Sequence, residues 1–264
     1  MRWKAKDAVA IVTGASSGIG RCLCQRLLDQ GCHVVGVARR EDRLLKIEER
    51  HRNTDNPKNV SRFVPVIGDI TDAAIREKIV LAASDIAEGR IDLLVNNAGI
   101  GAIGPFADAS PDRLRRVMEV NFFAPAELIR ITLPMLRKGN ASVICNISSV
   151  LGHCAVPDKS EYCASKFAMH GLSDSLRAEL AGDGIQVTLV SPSTTESEFF
   201  NSLIETKEGQ TSKSIGSWTP DRVARVTLSA IEHRRSEVIC SLGGKALVYA
   251  DRLSPPIMNR ILSK

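Results

Sequence analysis

The chain has 264 residues, of which 44% are hydrophobic, 25% charged and 4% aromatic, and its formal net charge is +5. This composition is typical of a globular protein. The scarcity of aromatic residues and the absence of any Lys/Arg run longer than two argue against a nucleic-acid-binding surface. The sequence has no stretch of 18 apolar residues, so we expect no transmembrane helix. Because the first strand is predicted from about Ala8, we also expect no secretory signal.

The seven cysteines form no pattern of disulfide or metal-ligand spacing. Scattered, odd-numbered cysteines favour a reducing compartment, so we expect a cytoplasmic protein without a metal site. Cys163 has two interpretations, a reactive thiol or a small buried hydrophobic residue, and the second is the commoner behaviour of a free cysteine. The cysteines are Cys22, Cys24, Cys32, Cys145, Cys154, Cys163 and Cys240.

Short runs rich in Val and Ile alternate with longer segments of helical period along the chain. The predicted strands are Val9–Thr13, His33–Ala38, Phe63–Ile67, Leu93–Asn96, Ser142–Ile147, Gln186–Ser191 and Val238–Ser241. The predicted helices are Ile19–Gln30, Glu41–Glu49, Asp72–Ala87, Pro111–Arg137, Glu161–Ala181 and Pro220–His233.

Local signals refine two of these helices. Thr71 precedes the helix predicted from Asp72, and Ser110 precedes Pro111, so each helix has an N-cap candidate. Pro125 and Pro134 predict a bend or an early end in the long fourth helix.

The alternation of strands and helices predicts an α/β fold, a doubly wound, mostly parallel seven-stranded sheet with helices on both faces. Most of the strands are apolar on both faces, as expected when helices cover each side of the sheet. No linker or change in composition divides the sequence, so we expect one domain over residues 1–264.

The first strand runs into a glycine-rich turn, Thr13-Gly14-Ala15-Ser16-Ser17-Gly18-Ile19-Gly20, and then into a helix. Such a turn lets the backbone approach a pyrophosphate, while the helix N-terminus presents N–H donors to it. The strand–turn–helix context therefore predicts a dinucleotide site. Its candidate residues are Gly14, Ser16, Ser17, Gly18, Ile19 and Gly20.

The T-G-x-x-x-G-x-G spacing resembles the short-chain dehydrogenase/reductase family, in its single-domain, Rossmann-like form. Four further motifs follow in the family's order, and the resemblance covers most of the chain. They are Asn96-Asn97-Ala98-Gly99 after the fourth strand, Asn121 in the fourth helix, Ser149, and Tyr162 with Lys166 in a Y-x-x-x-K set.

The resemblance implies an oxidoreductase that interconverts a ketone or aldehyde and an alcohol by hydride transfer, with Tyr162 as acid/base. Ser149 is expected to bind the substrate oxygen; Ser148 is its rival, but the family's serine lies thirteen residues before its tyrosine. The resemblance assigns Asn121 to a water that links Lys166 to solvent. An amide that bonds to backbone groups is a compatible interpretation of Asn121.

Tyr162 and Lys166 are four residues apart and are expected on one face of a helix. A phenol titrates near pKa ~10, and a neighbouring ammonium group lowers that value. The pair is therefore expected to exchange a proton with a substrate near neutral pH.

The end of the second strand predicts NADP(H) as the cofactor. Ala38 stands where NAD-binding relatives carry an acid, and Arg39 can hold a 2′-phosphate. Arg40 is either a second phosphate ligand or a solvated charge. Asp69 resembles the family's adenine-contacting aspartate, although a helix cap by Asp69 or Asp72 is the competing interpretation.

Other cofactor contacts follow by resemblance. They are Ile70, Asn97, Ala98, Gly99, Pro192, Ser193, Thr195 and Ser197, together with Tyr162 and Lys166. Ser193 departs from the family, which has glycine there, and Ser197 stands in place of a threonine. A substrate lid is expected at about 193–217, where Phe199 and Phe200 either line an apolar pocket or pack the lid.

Residues 243–264 read as a basic amphipathic tail. We expect it to pack on the domain or across a subunit interface, with peripheral membrane contact as the alternative. By family analogy the protein is a homodimer or homotetramer. The small-molecule partner is a carbonyl or an alcohol.

Two other functions fit the same sequence. One is a catalytically silent, NADPH-binding regulator, although such a protein would have no need of Asn121, Ser149, Tyr162 and Lys166 together. The other is a related epimerase or dehydratase on the same scaffold, against which the single-domain length and the Y-x-x-x-K context argue.

Overall fold

A computed structural model of the chain describes residues 2–53, 61–196, 198–199, 203–205 and 217–262. The strands are β1 Val9–Thr13, β2 His33–Ala38, β3 Phe63–Ile67, β4 Leu93–Asn96, β5 Val143–Ile147, β6 Gln186–Ser191 and β7 Glu237–Ile239. The helices are α1 Gly18–Asp29, α2 Glu41–Arg52, α3 Ala73–Ser84, α4 Pro111–Met118, α5 Ala124–Leu136, α6 Ser160–Glu179, α7 Pro220–Glu232, α8 Leu242–Leu253 and α9 Pro255–Leu262.

Within the described residues the strands form a seven-stranded sheet in the order β3-β2-β1-β4-β5-β6-β7. Every pairing is parallel; Ile11 of β1, for example, lies beside Val35 of β2 and Leu94 of β4. The chain order reverses between β1 and β4, which opens a crevice at the carboxyl ends of these strands. The predicted doubly wound α/β fold is confirmed, with all strands parallel.

Alternate strand residues feed two apolar cores, one on each face of the sheet. On one face Val12 packs with Leu27 of α1 and Leu228 of α7. On the other face Ile11 packs with Leu128 of α5, in a core that also includes helix α3. Strands β1, β4, β5 and β6 are almost wholly buried, which explains their continuous apolar sequences.

The segment Pro111–Arg137 was predicted as one long helix, but the structure divides it. A π-helical turn, Glu119–Phe123, separates α4 from α5, and α5 continues through Pro134 to Leu136. The widened turn comes just before Pro125, which lies near the start of α5, where a missing N–H costs little.

Other boundaries shift by a few residues. Asp72, not Thr71, is the N-cap of α3, because its carboxylate accepts from the Ala74 N–H. Ser110 caps α4 as predicted. The last strand is β7, Glu237–Ile239, because Ser241 has a φ of +68° and instead caps α8.

The predicted tail forms α8 and α9. Val248 and Met258 are buried, whereas Leu242, Leu253 and Ile257 are exposed. In the part of the chain that the structure describes, no helix combines the length and apolar character needed to cross a bilayer.

Candidate active site

The glycine turn is shaped by its neighbours at the crevice between β1 and β4. Gly14 has a φ of +68°, and a Cβ on it would lie 2.7 Å from Asn97 Nδ2. A Cβ on Gly20 would lie 2.4 Å from the Gly14 oxygen. Asn97 Nδ2 donates to the Thr13 oxygen at 2.9 Å, and Thr13 Oγ1 accepts from the N–H groups of Asn97 and Ala98. Only glycine fits these positions, and Asn97 fixes the turn itself.

A cavity of about 930 Å³ lies along this edge of the sheet. Most of the predicted site residues line it: Gly14, Ser16, Ser17, Gly18, Ile19, Arg39, Arg40, Asp69, Ile70, Asn97, Ala98, Gly99, Ser149, Tyr162, Lys166, Pro192, Ser193 and Thr195. Gly20 packs against the turn, Asn121 is buried behind the cavity wall, and Ser197 lies outside the described residues.

Two arginines at the end of β2 flank the glycine turn. Arg39 is largely exposed and its guanidinium lies 3.6 Å from the Asp69 carboxylate. Arg40 donates to Ser16 Oγ at 3.0 Å and to Ser17 Oγ at 2.6 Å. Arg40 is therefore held at the turn and is not simply a solvated charge. Asp69 Oδ1 accepts from the N–H and hydroxyl of Thr71, so Asp69 also stabilises its own loop.

Tyr162 reaches the cavity from the first turns of α6. Lys166 Nζ lies 5.6 Å from the centroid of its ring. Burial raises the pKa of Tyr162 to about 12, although a hydrogen bond with Ser149 lowers it. The prediction that the neighbouring ammonium lowers the pKa of the phenol is wrong for this structure, because burial outweighs the other influences.

Lys166 is 5% exposed, and its Nζ donates to the Ile147 oxygen at 3.0 Å. Burial lowers the pKa of Lys166 to about 8. The ammonium therefore holds its proton loosely at neutral pH. Ser149 lies one residue after Ser148 beyond β5, and its Oγ accepts from the Leu151 N–H at 3.1 Å. Ser148 instead faces the Lys166 carbonyl at 3.5 Å.

Asn121 lies in the π-helical turn between α4 and α5. Its Nδ2 donates to the Ile100 oxygen at 2.9 Å and to Ser165 Oγ at 3.0 Å, and its Oδ1 accepts from the Ile100 N–H. The amide is thus bonded to backbone, one of the two interpretations of the sequence. A Cβ on Gly99 would lie 3.2 Å from Asn121 Oδ1 and 3.8 Å from Lys166 Nζ, so Gly99 keeps the space between them open.

The segment after β6 carries Ser193 where the family has glycine, and the structure accommodates this side chain. Ser193 has no positive φ, and its Oγ lies 2.9 Å from Ser241 Oγ at the start of α8. The Pro192 oxygen accepts from the Val150 N–H at 3.0 Å. Thr195 Oγ1 donates to the Ser193 oxygen at 3.3 Å. The side chain of Ser193 therefore forms a hydrogen bond with Ser241, the residue that caps α8.

Phe199, which the sequence offered as a pocket-lining or lid residue, lines the cavity and lies against Tyr162 with ring centroids 5.6 Å apart. Other cavity residues were not predicted as site residues, and one of them, Glu198, contacts Arg40. Leu247 of α8 and Leu262 of α9 line the cavity. Phe200 lies outside the described residues. The Gly243-Gly244 pair was a sequence signal that the tail packs closely on the domain. A Cβ on Gly244 would lie 2.9 Å from the Val150 side chain.

A buried ion pair fixes the helix that carries Tyr162. Arg113 of α4 donates to Glu161 Oε1 at 2.7 and 2.9 Å, and both side chains are almost fully buried. The pair joins α4 to the residue next to Tyr162. Charge patterning in the sequence could not pair residues this far apart.

The fold also brings together three possible metal ligands that sequence spacing did not indicate. Ligand atoms of His153, His170 and Glu237 all lie within 4.8 Å of one another. Burial lowers the pKa of His153 to about 4, with His170 and Arg252 adding to the effect. The Arg252 guanidinium lies 3.1 Å from His153 Nδ1, and this positive charge opposes a cation there.

All seven cysteines are free thiols. Cys163, beside Tyr162, is buried, and burial raises the pKa of its thiol. A raised pKa suppresses the reactive thiolate, which agrees with the interpretation of Cys163 as a small apolar residue.

Comparisons with known proteins agree with this architecture. Residues 8–208 match the family model of the short chain dehydrogenases. The chain is 33% identical over 265 residues to dehydrogenase/reductase SDR family member 7B of Xenopus laevis, covering 97% of this chain and 81% of that protein. It is 33% identical over 244 residues to human dehydrogenase/reductase SDR family member 7, covering 89% and 70% respectively.

Solved structures are similar over almost their full length. A short chain dehydrogenase from Burkholderia cenocepacia in complex with NADP is 27% identical with a TM-score of 0.80, covering 99% of this chain and 100% of that one. A short chain dehydrogenase/reductase from Burkholderia phymatum in complex with NAD is 25% identical with a TM-score of 0.84, covering 95% and 96%.

The fold defines a doubly wound α/β protein with a ligand crevice at the carboxyl ends of its strands. The matched family model and the relatives place it more narrowly. The chain belongs to the short-chain dehydrogenase/reductase family, a family of oxidoreductases.

Proposed function

We propose that this protein is an NADP(H)-dependent oxidoreductase that interconverts a ketone or aldehyde and an alcohol. One observation carries the proposal: Ser149, Tyr162 and Lys166 line the same cavity as the glycine turn. A nucleotide seated on the turn would share that cavity with a substrate at the tyrosine. The proposed catalytic set is Asn121, Ser149, Tyr162 and Lys166.

The residues of the crevice fit a nicotinamide dinucleotide. Gly14 and Gly20 let the turn pack closely on Asn97 and on itself, where any Cβ would clash, and α1 begins at Gly18, which lines the cavity. Ala38 brings no carboxylate to the end of β2, and Arg39 and Arg40 bring two guanidinium groups. Arginine suits phosphate through paired N–H donors, which supports NADP(H) over NAD(H).

In the proposed reaction the nicotinamide supplies or accepts the hydride, and the protein handles the proton. Tyr162, with a pKa of about 12, is protonated at neutral pH and donates its proton to the oxygen of a carbonyl substrate. Ser149 donates a hydrogen bond to the same oxygen and stabilises the charge that develops there.

Lys166 then restores the proton to Tyr162. Its pKa of about 8 makes it a ready donor near neutral pH. The open space at Gly99 would hold a water between Lys166 and Asn121, which would connect the ammonium to solvent.

Turnover and binding by a Tyr162→Phe variant test this function. NADPH oxidation is followed across a panel of ketones and aldehydes for the wild type and the variant. Removal of the phenol hydroxyl should abolish turnover and leave the NADPH dissociation constant within about twofold of the wild-type value. An exposed control, Tyr249→Phe, should retain both.

The results separate the proposed enzyme from the silent NADPH-binding regulator. Turnover confined to the wild type and the control supports the enzyme. Turnover by Tyr162→Phe contradicts the role of the phenol. NADPH binding by the wild type without turnover of any panel member favours the regulator.

The side chains around the proposed substrate position support an apolar carbonyl compound as the substrate. Ile103, Val156, Phe199, Leu247 and Leu262 line it. Apolar walls with few polar groups are typical of sites that bury most of a small organic ligand.

We also propose that the chain forms one domain and acts as a homodimer or homotetramer. Phe123 and Phe167, on the helical layer around α4–α6, are 50% and 43% exposed, as expected of side chains that a second copy would cover. The exposed face of α8 and α9 is the second candidate interface, with a membrane surface as the alternative occupant. The free thiols support a reducing compartment, and we propose the cytoplasm.

A further inference from the structure

Two consecutive residues after β6 contact two different functional parts of the cavity. Glu198 Oε2 accepts from Arg40 at 2.8 Å and from Arg43 at 2.6 Å. Phe199 packs edge-on against the ring of Tyr162. We call Glu198 and Phe199 the strap. The strap connects the arginines beside the glycine turn with the proposed acid/base.

The arginines that hold Glu198 form a prepared anion site. Ser16 and Ser17 orient Arg40 from one side, and Arg43 approaches from the first turn of α2. Two guanidinium groups converge on one carboxylate oxygen. Hydrogen bonds from Arg43 and Arg40 lower the pKa of Glu198, so the group is an anion at neutral pH. Guanidinium groups bind phosphate by the same paired geometry as carboxylate.

We propose that Glu198 competes with the 2′-phosphate of the nucleotide for Arg40 and Arg43. Binding of a 2′-phosphorylated nucleotide then releases the strap from the arginines and from Tyr162. This inference rests on the proposed NADP(H) site, and it adds Arg43 as a further residue that determines cofactor specificity. A nucleotide without the 2′-phosphate keeps its pyrophosphate but has no anion on the ribose 2′ oxygen to displace Glu198.

The competition has a defined energetic scale. Arg40, Arg43 and Glu198 are each between 36% and 44% exposed, so solvent screens their attraction. Exposed ion pairs of this kind change affinities by factors of a few, not by orders of magnitude. The strap therefore tunes the binding of the nucleotide without preventing it.

Calorimetric titration with 2′,5′-ADP and with ADP isolates the phosphate from the nicotinamide and from turnover. Glu198→Gln keeps the shape of the side chain and removes its charge. The variant should bind 2′,5′-ADP roughly three- to tenfold more tightly than the wild type, and ADP within about twofold. Glu196→Gln, in the same segment but bonded to Ser217, is the matched control and should change neither affinity.

Arg43→Ala provides the complementary test. It should weaken binding of 2′,5′-ADP by roughly three- to tenfold and leave ADP binding unchanged. Unchanged or weaker binding of 2′,5′-ADP by Glu198→Gln overturns the competition, as does an Arg43→Ala variant with wild-type affinity. A wild-type protein that binds both nucleotides equally overturns the proposed NADP(H) preference itself, which separates the two failures.

Discussion

Replacement of Lys166 by Met removes a positive charge from a buried position. The ammonium is 5% exposed, and its only hydrogen bond in the described structure is to the Ile147 oxygen. Burial holds its pKa at about 8, against an ordinary value of 10.5. The folded state therefore binds this proton less tightly than the unfolded chain does, and the charged lysine lowers the free energy of unfolding.

The difference between the two pKa values corresponds to roughly 3 kcal/mol at pH 7. Loss of the hydrogen bond to Ile147 offsets about 1 kcal/mol of this gain. Lys166→Met should thus raise the free energy of unfolding by about 2 kcal/mol, and the melting temperature by roughly 4–8 °C. The same change should abolish turnover, because the proposed proton supply to Tyr162 is lost.

Urea unfolding of the wild type and Lys166→Met between pH 7 and pH 10.5 checks this reasoning. Below pH 8 the lysine is charged in both states and the full difference is present. As the pH rises from 8 to 10.5, only the unfolded chain retains the proton, so the wild type gains stability and the difference shrinks. Lys78→Met, on the exposed face of α3, should show no such dependence. A variant that is no more stable than wild type at pH 7, or a difference independent of pH, refutes the reasoning.

Two further predictions concern stability. His153 is buried with a pKa of about 4, so only the unfolded chain gains a proton as the pH falls below 6.5; the wild type should lose roughly 3 kcal/mol by pH 4 from this group. His153→Gln should show a shallower loss in urea unfolding from pH 7 to 4.5, and an identical slope would contradict the assignment. Glu161→Ala leaves Arg113 buried without its carboxylate and should cost about 3–5 kcal/mol in the same assay. The exposed Glu77→Ala is its control, and a cost below about 1 kcal/mol would show that the pair is not what holds α4 to α6.

The sheet could be predicted from the sequence because its central strands are buried on both faces. Runs such as Val9–Thr13 carry no other periodicity, and glycine or polar residues bound them. Helix ends were less accurate, since they depend on which side chain caps them, as with Asp72. The π-helical turn at Glu119–Phe123 has no periodicity that distinguishes it from the α-helix around it.

The site was predictable where its chemistry is local in sequence. The glycine turn and the Tyr162–Lys166 pair each lie within eight or fewer consecutive residues, and the structure brings them into one cavity. Contacts between distant segments were not predictable. The ion pair between Glu198 and Arg40 joins residues far apart in the sequence, and no local motif indicates it. No local motif indicates that Leu247 lines the cavity either. The pKa of Tyr162 was also missed, because it depends on burial that no sequence neighbour reports.

The helices α8 and α9 form part of the cavity wall through Leu247 and Leu262, while α6 and the carboxyl end of the sheet carry the proposed catalytic residues. A change of side chain in these two helices reshapes the chamber without disturbing strand register or the spacing of Tyr162 and Lys166. Natural selection can therefore change the substrate specificity without changing the reaction. Proteins that descend from one ancestor can therefore differ in the substrate they bind while they keep the same reaction.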